Sequence, residues 1–161
     1  MEKCMISEKN VDSFDRAILR IVQSDASIPL RAIADRVNLS RAAVQRRLRR
    51  MEEEGVIVRN VAMVDPSKIG KHLTVLVEVQ IVAAEIEILD RVKHAFKVPE
   101  VQQCYNCTGD ADFVLIMVVS AMEEYNLIAR KLLYENKDVK WFRTLVVYDR
   151  VKVGVEVPVD L

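Results

Sequence analysis

A break at residues 65–70 separates two different apolar patterns in this chain of 161 residues. Before the break, apolar residues recur every three or four positions, as on one face of a helix. After it, stretches that alternate every two positions come between helical ones. The break contains proline and glycine, which interrupt both periodicities. We therefore predict a first domain over residues 11–64, a linker over 65–72 and a second domain over 73–161.

Three amphipathic helices are predicted in the first domain. The first follows Asp12 as its N-cap, the second begins at Pro29, and the third follows Ser40 as its N-cap and ends near Gly55. Residues 56–64 are rich in β-branched side chains and predict a small β-ribbon. Three helices with a tight break before the third, followed by a ribbon, are the parts of a winged helix-turn-helix.

The second domain repeats the order strand, helix, strand. Apolar patterns predict strands at 73–83, 101–108, 113–119 and 139–151, and helices that contain residues 88–96 and 125–133. Two such units give a ferredoxin-like βαββαβ sandwich, in which one four-stranded antiparallel sheet carries both helices on one face. The whole chain is therefore predicted to be α+β, and residues 153–159 are predicted to add an edge strand.

The other face of this sheet has no helix in the chain to cover it, yet much of it is predicted to be apolar. Its apolar residues include much of the third strand together with Leu76, Val82, Phe142, Val146 and Tyr148. Because a large apolar face needs a partner, we expect the protein to associate with copies of itself.

The net charge of zero conceals an uneven distribution. Residues 1–60 hold 12 basic and 9 acidic side chains, and residues 61–161 hold 12 and 15. Seven arginines but only one acid, Asp35, lie between Leu30 and Met51. This local excess of arginine indicates a nucleic-acid partner for the first domain.

The third predicted helix concentrates arginines on the side opposite its apolar stripe. An Arg side chain grips guanine or a phosphate at two points, and Gln does the same for adenine. We predict that this helix enters the major groove of double-stranded DNA, with contacts from Ser40, Arg41, Ala42, Gln45, Arg46, Arg47, Arg49 and Arg50. The alternative is a solvated face paired with the glutamates of residues 52–54, but these acids all follow the basic stretch and offer it few i,i+4 partners.

Several stretches of the sequence match a known family. They are residues 14–19 in the first helix, 37–40 and 46–57 around the third, 65–66 with 69–70 at the linker, and 108–113 in the second domain. Through them, residues 12–152 resemble the Lrp/AsnC, or feast/famine, transcriptional regulators of bacteria and archaea. The resemblance implies a winged helix-turn-helix joined to a ferredoxin-like (RAM-type) domain that dimerises through its sheet and assembles homodimers into tetramers, octamers or larger discs.

The resemblance also implies a small-molecule effector, usually an amino acid, bound at contacts between dimers. The loop concerned consists here of Thr108, Gly109, Asp110, Ala111 and Asp112. Gly109 lets the backbone approach a ligand, exposed amides hold a carboxylate, and Asp110 or Asp112 pairs with an ammonium group. Thr144 is an added pocket candidate. The family often has an aromatic residue at the position of Ala111, so we expect a wider pocket or an unusual ligand.

Other interpretations remain open from the residues alone. Gly109 and Asp110 are equally typical of an ordinary hairpin turn. The second domain is also compatible with a binding module or enzyme that uses Asp110 and Asp112, or with a metal-responsive regulator that uses Cys104 and Cys107. Residues three apart on a strand point to opposite faces, which disfavours a metal pair. We therefore predict no catalytic residues, no metal site and no cofactor besides the effector.

The sequence carries no pattern typical of export or membrane insertion. Residues 1–6 contain no apolar h-region, and the longest apolar run, 113–119, is far shorter than the roughly 20 residues that span a bilayer. The three cysteines are an odd number and indicate no disulfide framework. We expect a cytoplasmic protein without a membrane partner.

Overall fold

The computed structural model describes residues 11–159. The described part of the chain divides into two compact units: residues 11–63 together with 153–159 form the first, and Val64–Lys152 form the second. None of the helices in the described part of the chain is long and apolar enough to cross a membrane.

Three helices form the first unit: α1 (Ser13–Ser24), α2 (Leu30–Val37) and α3 (Arg41–Glu53). The Asp12 carboxylate accepts the Asp15 N–H at 2.9 Å, and the Ser40 hydroxyl accepts the Ala43 N–H at 3.2 Å, so both predicted N-caps are confirmed. Asn38, with φ of 53°, ends α2 in the left-handed conformation, and only residues 38–40 separate α2 from α3.

Apolar residues from all three helices meet in one core. Their buried members are Ile18, Leu19, Ile33, Ala34, Val37, Val44 and Met51. All of them except Leu19 belong to the apolar stripes predicted from the 3.6-residue period. In α1 the prediction is wrong at two positions, since it placed Phe14 in the stripe and left out Leu19, whereas Phe14 is 42% exposed and Leu19 is buried.

The predicted β-ribbon over residues 56–64 is wrong for this structure, because no residue of that segment is in a strand. Val58, Val61 and Met63 keep more than half of their surface exposed. An isolated two-stranded ribbon is at best marginally stable without a third strand or a helix to pack on. The β-branched composition indicated extended backbone, but pairing requires a partner that this segment does not have within its unit.

The predicted edge strand over residues 153–159 is also wrong. This segment, the C-terminal tail, forms no strand and lies against α1 in the first unit. The side-chain amide of Gln23 accepts the Val157 N–H at 2.8 Å and donates to the Val157 carbonyl at 3.2 Å. Val159 packs against the core of the three helices, so the apolar alternation of the tail contributes to this unit instead of the sheet.

The second unit begins with a short 3-10 helix, Pro66–Ile69. It continues with β1 (Leu73–Ile81), α4 (Ile86–Ala95), β2 (Val101–Asn106), β3 (Phe113–Val119), α5 (Met122–Ala129) and β4 (Val139–Val146), and one π-helical turn, Arg130–Tyr134, extends α5. All paired strands are antiparallel, in the order β2-β3-β1-β4. The predicted α+β class and ferredoxin-like arrangement are confirmed.

The core of the second unit lies between the sheet and its two helices. Every second residue of β1 and β3 is buried there, and Val92, Phe96, Tyr125, Ala129 and Leu133 cover it from the helices. Phe96 and Phe113 meet edge to face with ring centroids 5.6 Å apart. The predicted bounds of β3 are confirmed.

Strand β4 is shorter than predicted, since it ends at Val146 and not at residue 151. Its neighbour β1 begins at Leu73, and the hydrogen bond from Val147 N–H to the Thr74 carbonyl is the last one recorded between the two strands. Beyond this point β1 offers no backbone for pairing. The residues after Val147 therefore form no strand, although their sequence is strand-like.

The uncovered sheet face differs in part from the prediction. Leu76 does lie on it, aligned with Ile116 of β3 and Leu145 of β4. Phe142 and Val146, however, stand opposite Val79 and Val75 and therefore lie on the helix-covered face. Val82 and Tyr148 fall outside the strands. We call the uncovered side of the sheet the open face. It contains Leu76 of β1, Ile116 of β3, and Trp141, Arg143 and Leu145 of β4.

Candidate nucleic-acid interface and effector loop

Helix α3 presents four exposed side chains at positions i, i+3, i+4 and i+7. They are Ala42, Gln45, Arg46 and Arg49, and we call them the reading face. Ser40 and Arg41 are also exposed, at the start of the helix. The opposite side of α3 buries Val44 and Met51 in the core. The structure thus brings together on one exposed surface six of the eight side chains predicted to contact DNA.

The other two predicted contacts, Arg47 and Arg50, are engaged within the protein. Arg47 Nη1 lies 2.8 Å from Asp15 Oδ1 and 2.7 Å from Asp12 Oδ2, and Arg50 Nη2 lies 2.5 Å from Asp15 Oδ2. Asp15 is fully buried. We call these four residues the α1–α3 ion cluster.

Electrostatics within this cluster favour the charged forms of Arg47 and Asp12. The hydrogen bonds to Asp15 and then Asp12 raise the pKa of Arg47 above its ordinary value. Partial burial of Asp12 opposes ionisation, but the Asp15 N–H and the Arg47 guanidinium outweigh it and lower the pKa of Asp12. The Arg47 guanidinium also lies 5.5 Å from the centre of the Phe14 ring. Arg47 is therefore held from three sides by the first turn of α1.

The alternative that the sequence disfavours, in which the arginines pair with the glutamates after them, occurs once on α3. Arg49 Nε lies 2.9 Å from Glu53 Oε1, with the two side chains 80% and 63% exposed. Such an exposed pair contributes little and leaves Arg49 able to exchange Glu53 for a phosphate. Arg47 and Arg50 instead pair with Asp12 and Asp15, at the start of α1 and more than 30 residues away in sequence. The spacing of charges along α3 does not reveal these two acids.

The loop between β2 and β3 exposes Thr108, Gly109 and Asp110, while Ala111 is half-buried. Gly109 has a φ of +125°, which L side chains rarely adopt, so the turn requires glycine at this point. The backbone of this stretch is open to a ligand.

Asp112 of the same loop has a structural role in this chain. Its carboxylate accepts the Ile81 N–H at 2.8 Å, at the point where the pairing of β1 with β4 shifts register. Its carbonyl accepts the Cys107 N–H and the Asn106 side-chain amide, each at 2.8 Å. Asp110, by contrast, is exposed.

Thr144 is not brought to this loop within the chain. It lies on β4, an edge strand, while the loop joins β2 to β3 on the other side of β1. Its hydroxyl points to the helix-covered side and forms a hydrogen bond with the Tyr125 hydroxyl of α5. Burial raises the pKa of Tyr125, so the phenol stays protonated at neutral pH.

Cys104 and Cys107 are free thiols. Burial, with a smaller contribution from Cys107, raises the pKa of Cys104, which disfavours the thiolate needed for metal binding or thiol exchange. The Cys107 thiol contacts the Tyr105 carbonyl at 3.7 Å. Residues 11–159 contain no group of three or more His, Cys, Asp or Glu side chains arranged to hold a metal ion.

Two known protein families match this chain, one over the three-helix unit and one over the sheet-containing unit. The profile of the winged helix-turn-helix DNA-binding family matches residues 11–58, and that of the Lrp/AsnC ligand-binding domain matches residues 74–157. The chain belongs to the Lrp/AsnC family. Lrp/AsnC proteins are DNA-binding transcriptional regulators with a ligand-binding domain, and so is this one.

Relatives extend this likeness over nearly the whole chain. An HTH-type transcriptional regulator of Sinorhizobium fredii is 41% identical over 152 residues, which cover 94% of this chain and 90% of the relative. The crystal structure of an AsnC family transcriptional regulator from Agrobacterium tumefaciens is 32% identical, with a TM-score of 0.85 over 91% of this chain and 96% of that one. A Neisseria meningitidis regulator solved as a complex with L-Met shares the fold, with a TM-score of 0.86 at 23% identity over 92% and 97% of the two chains.

Proposed function

We propose that this Lrp/AsnC regulator recognises a specific operator through the reading face of α3, and that an amino acid bound at the loop of residues 108–112 changes its DNA binding. The exposed surface of α3 is the main support for operator recognition. Gln45 and Arg46 are exposed and, within residues 11–159, have no hydrogen-bond or ion-pair partner. They are therefore free to bind base edges.

Each residue of the interface has a distinct chemical task in this proposal. Arg46 donates two hydrogen bonds to a guanine, and Gln45 both donates to and accepts from an adenine. Arg41 and Arg49 neutralise phosphates beside them. Ser40 lies at the helix N-terminus, where N–H groups favour an anion, so a phosphate fits there.

The effector part is supported by the ligand-binding domain profile over residues 74–157 and by the exposed loop backbone. The N–H groups near Gly109 suit the carboxylate of an amino acid, and the exposed Asp110 carboxylate suits its ammonium group. A relative from Zymomonas mobilis, 34% identical over 125 residues and matched over 77% of this chain and 76% of its own length, is named a glutamate uptake regulatory protein. Glutamate is therefore a natural first ligand to test, together with methionine.

Assembly through the open face completes the proposal. Leu76, Ile116 and Leu145 are aligned across three strands, and no helix of the second unit covers them. Pairing two copies through this face would give a homodimer, able to assemble further into tetramers or octamers, with two reading faces for a roughly palindromic operator.

Binding to a selected and a scrambled duplex tests the reading face. Arg46→Ala and Gln45→Ala are each expected to weaken binding to a duplex selected from a random library by about 1–3 kcal/mol, with a much smaller loss on a scrambled duplex. Arg130→Ala, an exposed arginine of the second unit, is the matched control and should change neither affinity. Equal losses on the two duplexes for both variants would contradict base reading.

A thermal-shift screen against the amino acids tests the effector. A ligand that binds the folded protein raises its Tm with concentration. We expect at least one amino acid to do so and Asp110→Ala to abolish the rise. If no amino acid shifts the Tm, or if the shift persists in Asp110→Ala, the loop is not the site.

A further inference from the structure

The α1–α3 ion cluster removes two arginines from an otherwise cationic helix. Asp15 Oδ1 accepts from Arg47, and Asp15 Oδ2 accepts from Arg50 and from the Asp12 N–H at 3.0 Å. Two carboxylates and two guanidiniums make the cluster neutral. A buried carboxylate with this many donors gains much from keeping all of them, because losing one leaves a poorly compensated charge.

The positions of these residues give the cluster control over how α3 is set against α1. Both acids belong to the start of α1, and both arginines lie one turn apart on α3. Apolar packing of Val44 and Met51 holds α3 against the core but is non-directional, so it tolerates small rotations about the helix axis. Charged hydrogen bonds are directional, and rotating or sliding α3 would break several at once.

At about 100° per residue, Arg50 lies about a quarter turn from the centre of the reading face and Arg47 about 150° from it. Any rotation of α3 about its axis therefore moves Gln45 and Arg46 sideways relative to the groove. Bidentate contacts to base edges tolerate little displacement, whereas a contact between a charge and a phosphate tolerates more.

We propose that Asp15 is a positioning residue for operator recognition: by holding Arg47 and Arg50 it sets the axial rotation of α3 and withdraws both arginines from the phosphates. This inference rests on the proposed role of the reading face. It assigns to two of the eight candidate DNA contacts a task that the sequence pattern does not indicate. Specificity then depends on a buried acid that touches no DNA.

Loss of the α1–α3 ion cluster is expected to affect specific and non-specific DNA binding differently. Breaking the cluster should lower affinity for the selected duplex, while affinity for a scrambled duplex stays equal or rises, because a released arginine is a new phosphate contact. A variant that only unfolds the first unit would lower both affinities together.

The test uses the full chain, a selected and a scrambled duplex, and a series of salt concentrations. Arg47 Nη1 donates to both acids. Arg47→Lys keeps the charge, but its ammonium ends one bond short of the Nη1 position, so it cannot keep both hydrogen bonds with their present geometry. We expect its ratio of selected to scrambled affinity to fall about tenfold or more, and its slope of log affinity against log salt to stay at the wild-type value or steepen. Asp15→Asn should lower the same ratio and give a scrambled-duplex affinity at or above that of the wild type.

Circular dichroism and the Tm of each variant establish whether it is folded. If Asp15→Asn does not fold, the test relies on Arg47→Lys and Arg50→Lys. Both lysine variants keep a positive charge beside the buried Asp15 carboxylate. An unchanged ratio in the folded lysine variants would overturn the proposal. So would an Arg47→Ala variant that loses affinity equally for both duplexes with a salt slope reduced by about one, since that is the behaviour of a phosphate contact.

The experiment also distinguishes a wrong positioning role of Asp15 from wrong base contacts of the reading face. If the base contacts are wrong, Arg46→Ala and Gln45→Ala would leave the selected-to-scrambled ratio unchanged, whatever the cluster variants do. If those two variants lower the ratio and Arg47→Lys does not, the reading face stands and the positioning role of Asp15 is wrong.

Discussion

Asp110 and Asp112 lie two positions apart on one loop, yet their carboxylates have different surroundings. The Asp112 carboxylate binds the Ile81 N–H at the register shift of β1, and the Asp110 carboxylate faces solvent. Both are acids near a glycine, so the sequence motif alone assigns them the same ligand chemistry. The difference arises because only Asp112 lies next to an unpaired backbone donor of the sheet.

Asp112→Ala is expected to lower the free energy of unfolding by about 1–3 kcal/mol, because it leaves the Ile81 N–H without an acceptor. Asp112→Asn keeps an acceptor oxygen and should recover part of the loss. Chemical denaturation measures both, with Asp110→Ala as the matched control that changes stability little. Equal stability of the two alanine variants would contradict the structural role of Asp112.

Glu124 shows a second effect at the residue scale, a strongly lowered pKa. Hydrogen bonds from Lys71 and then from the Ser120 hydroxyl and N–H lower the pKa of Glu124 from 4.5 to about 2. Because the folded pKa lies below the unfolded one, the ionised group stabilises the fold fully above about pH 4.5. The contribution is lost as the pH falls from there towards 2.

Glu124→Gln removes this pH dependence. The difference in urea midpoint between wild type and variant is expected to be constant near neutral pH and to shrink as the pH falls below 4.5. Denaturation series at several pH values measure it, and the difference is modest because the pair is partly solvated. A difference that grows on acidification would contradict the assignment.

At the scale of elements, residues 56–64 and the C-terminal tail show what an apolar alternation does and does not determine. Both segments have strand-like sequences, and neither forms a strand. Alternation specifies which side chains lie on one side of extended backbone. A strand also needs a neighbour with free hydrogen-bonding groups, and the tail instead finds the amide of Gln23.

Gln23→Ala is expected to release the tail from α1. The Val157 N–H loses its acceptor, so amide hydrogen exchange over residues 153–159 should become faster, while exchange in β1 and β3 stays unchanged. Gln45→Ala, an exposed glutamine on α3, is the matched control. Unchanged exchange at Val157 would show that packing of Val159 alone holds the tail.

At the scale of the whole molecule, charge is distributed unevenly along the chain: residues 1–60 hold 12 basic and 9 acidic side chains, and residues 61–161 hold 12 and 15. The net charge of zero gives the protein little general attraction for DNA, so in the proposed function binding would depend on the correct presentation of the reading face. Association through the open face would present two such faces to one operator.

Light scattering tests this association. The wild type is expected to have a mass well above 18.4 kDa, and Leu76→Asp to lower it, because a charge placed between Ile116 and Leu145 would be buried without a partner. Leu127→Asp, on an exposed part of α5, is the matched control and should keep the wild-type mass. A monomeric wild type would contradict assembly through the sheet.

Much of the architecture follows from local sequence. Spacing of apolar residues predicted all three helices of the first unit, the caps at Asp12 and Ser40, and the strand–helix order of the second. These features depend on residues within a few positions of each other, where the helical and strand periods act directly. The position of the arginine-rich helix, and with it the reading face, is predictable for the same reason.

Tertiary structure decided the features that depend on distant partners. Register placed Phe142 under the helices, because a shift of one residue exchanges the two faces of a strand. Packing of α1 on α3 placed Asp15 beside Arg47 and Arg50 across more than 30 residues, and so divided one arginine-rich helix into residues that face solvent and residues that pair with a buried acid. The sequence by itself determined where the positive charge is concentrated; only the packed structure determined which arginines are free to use it.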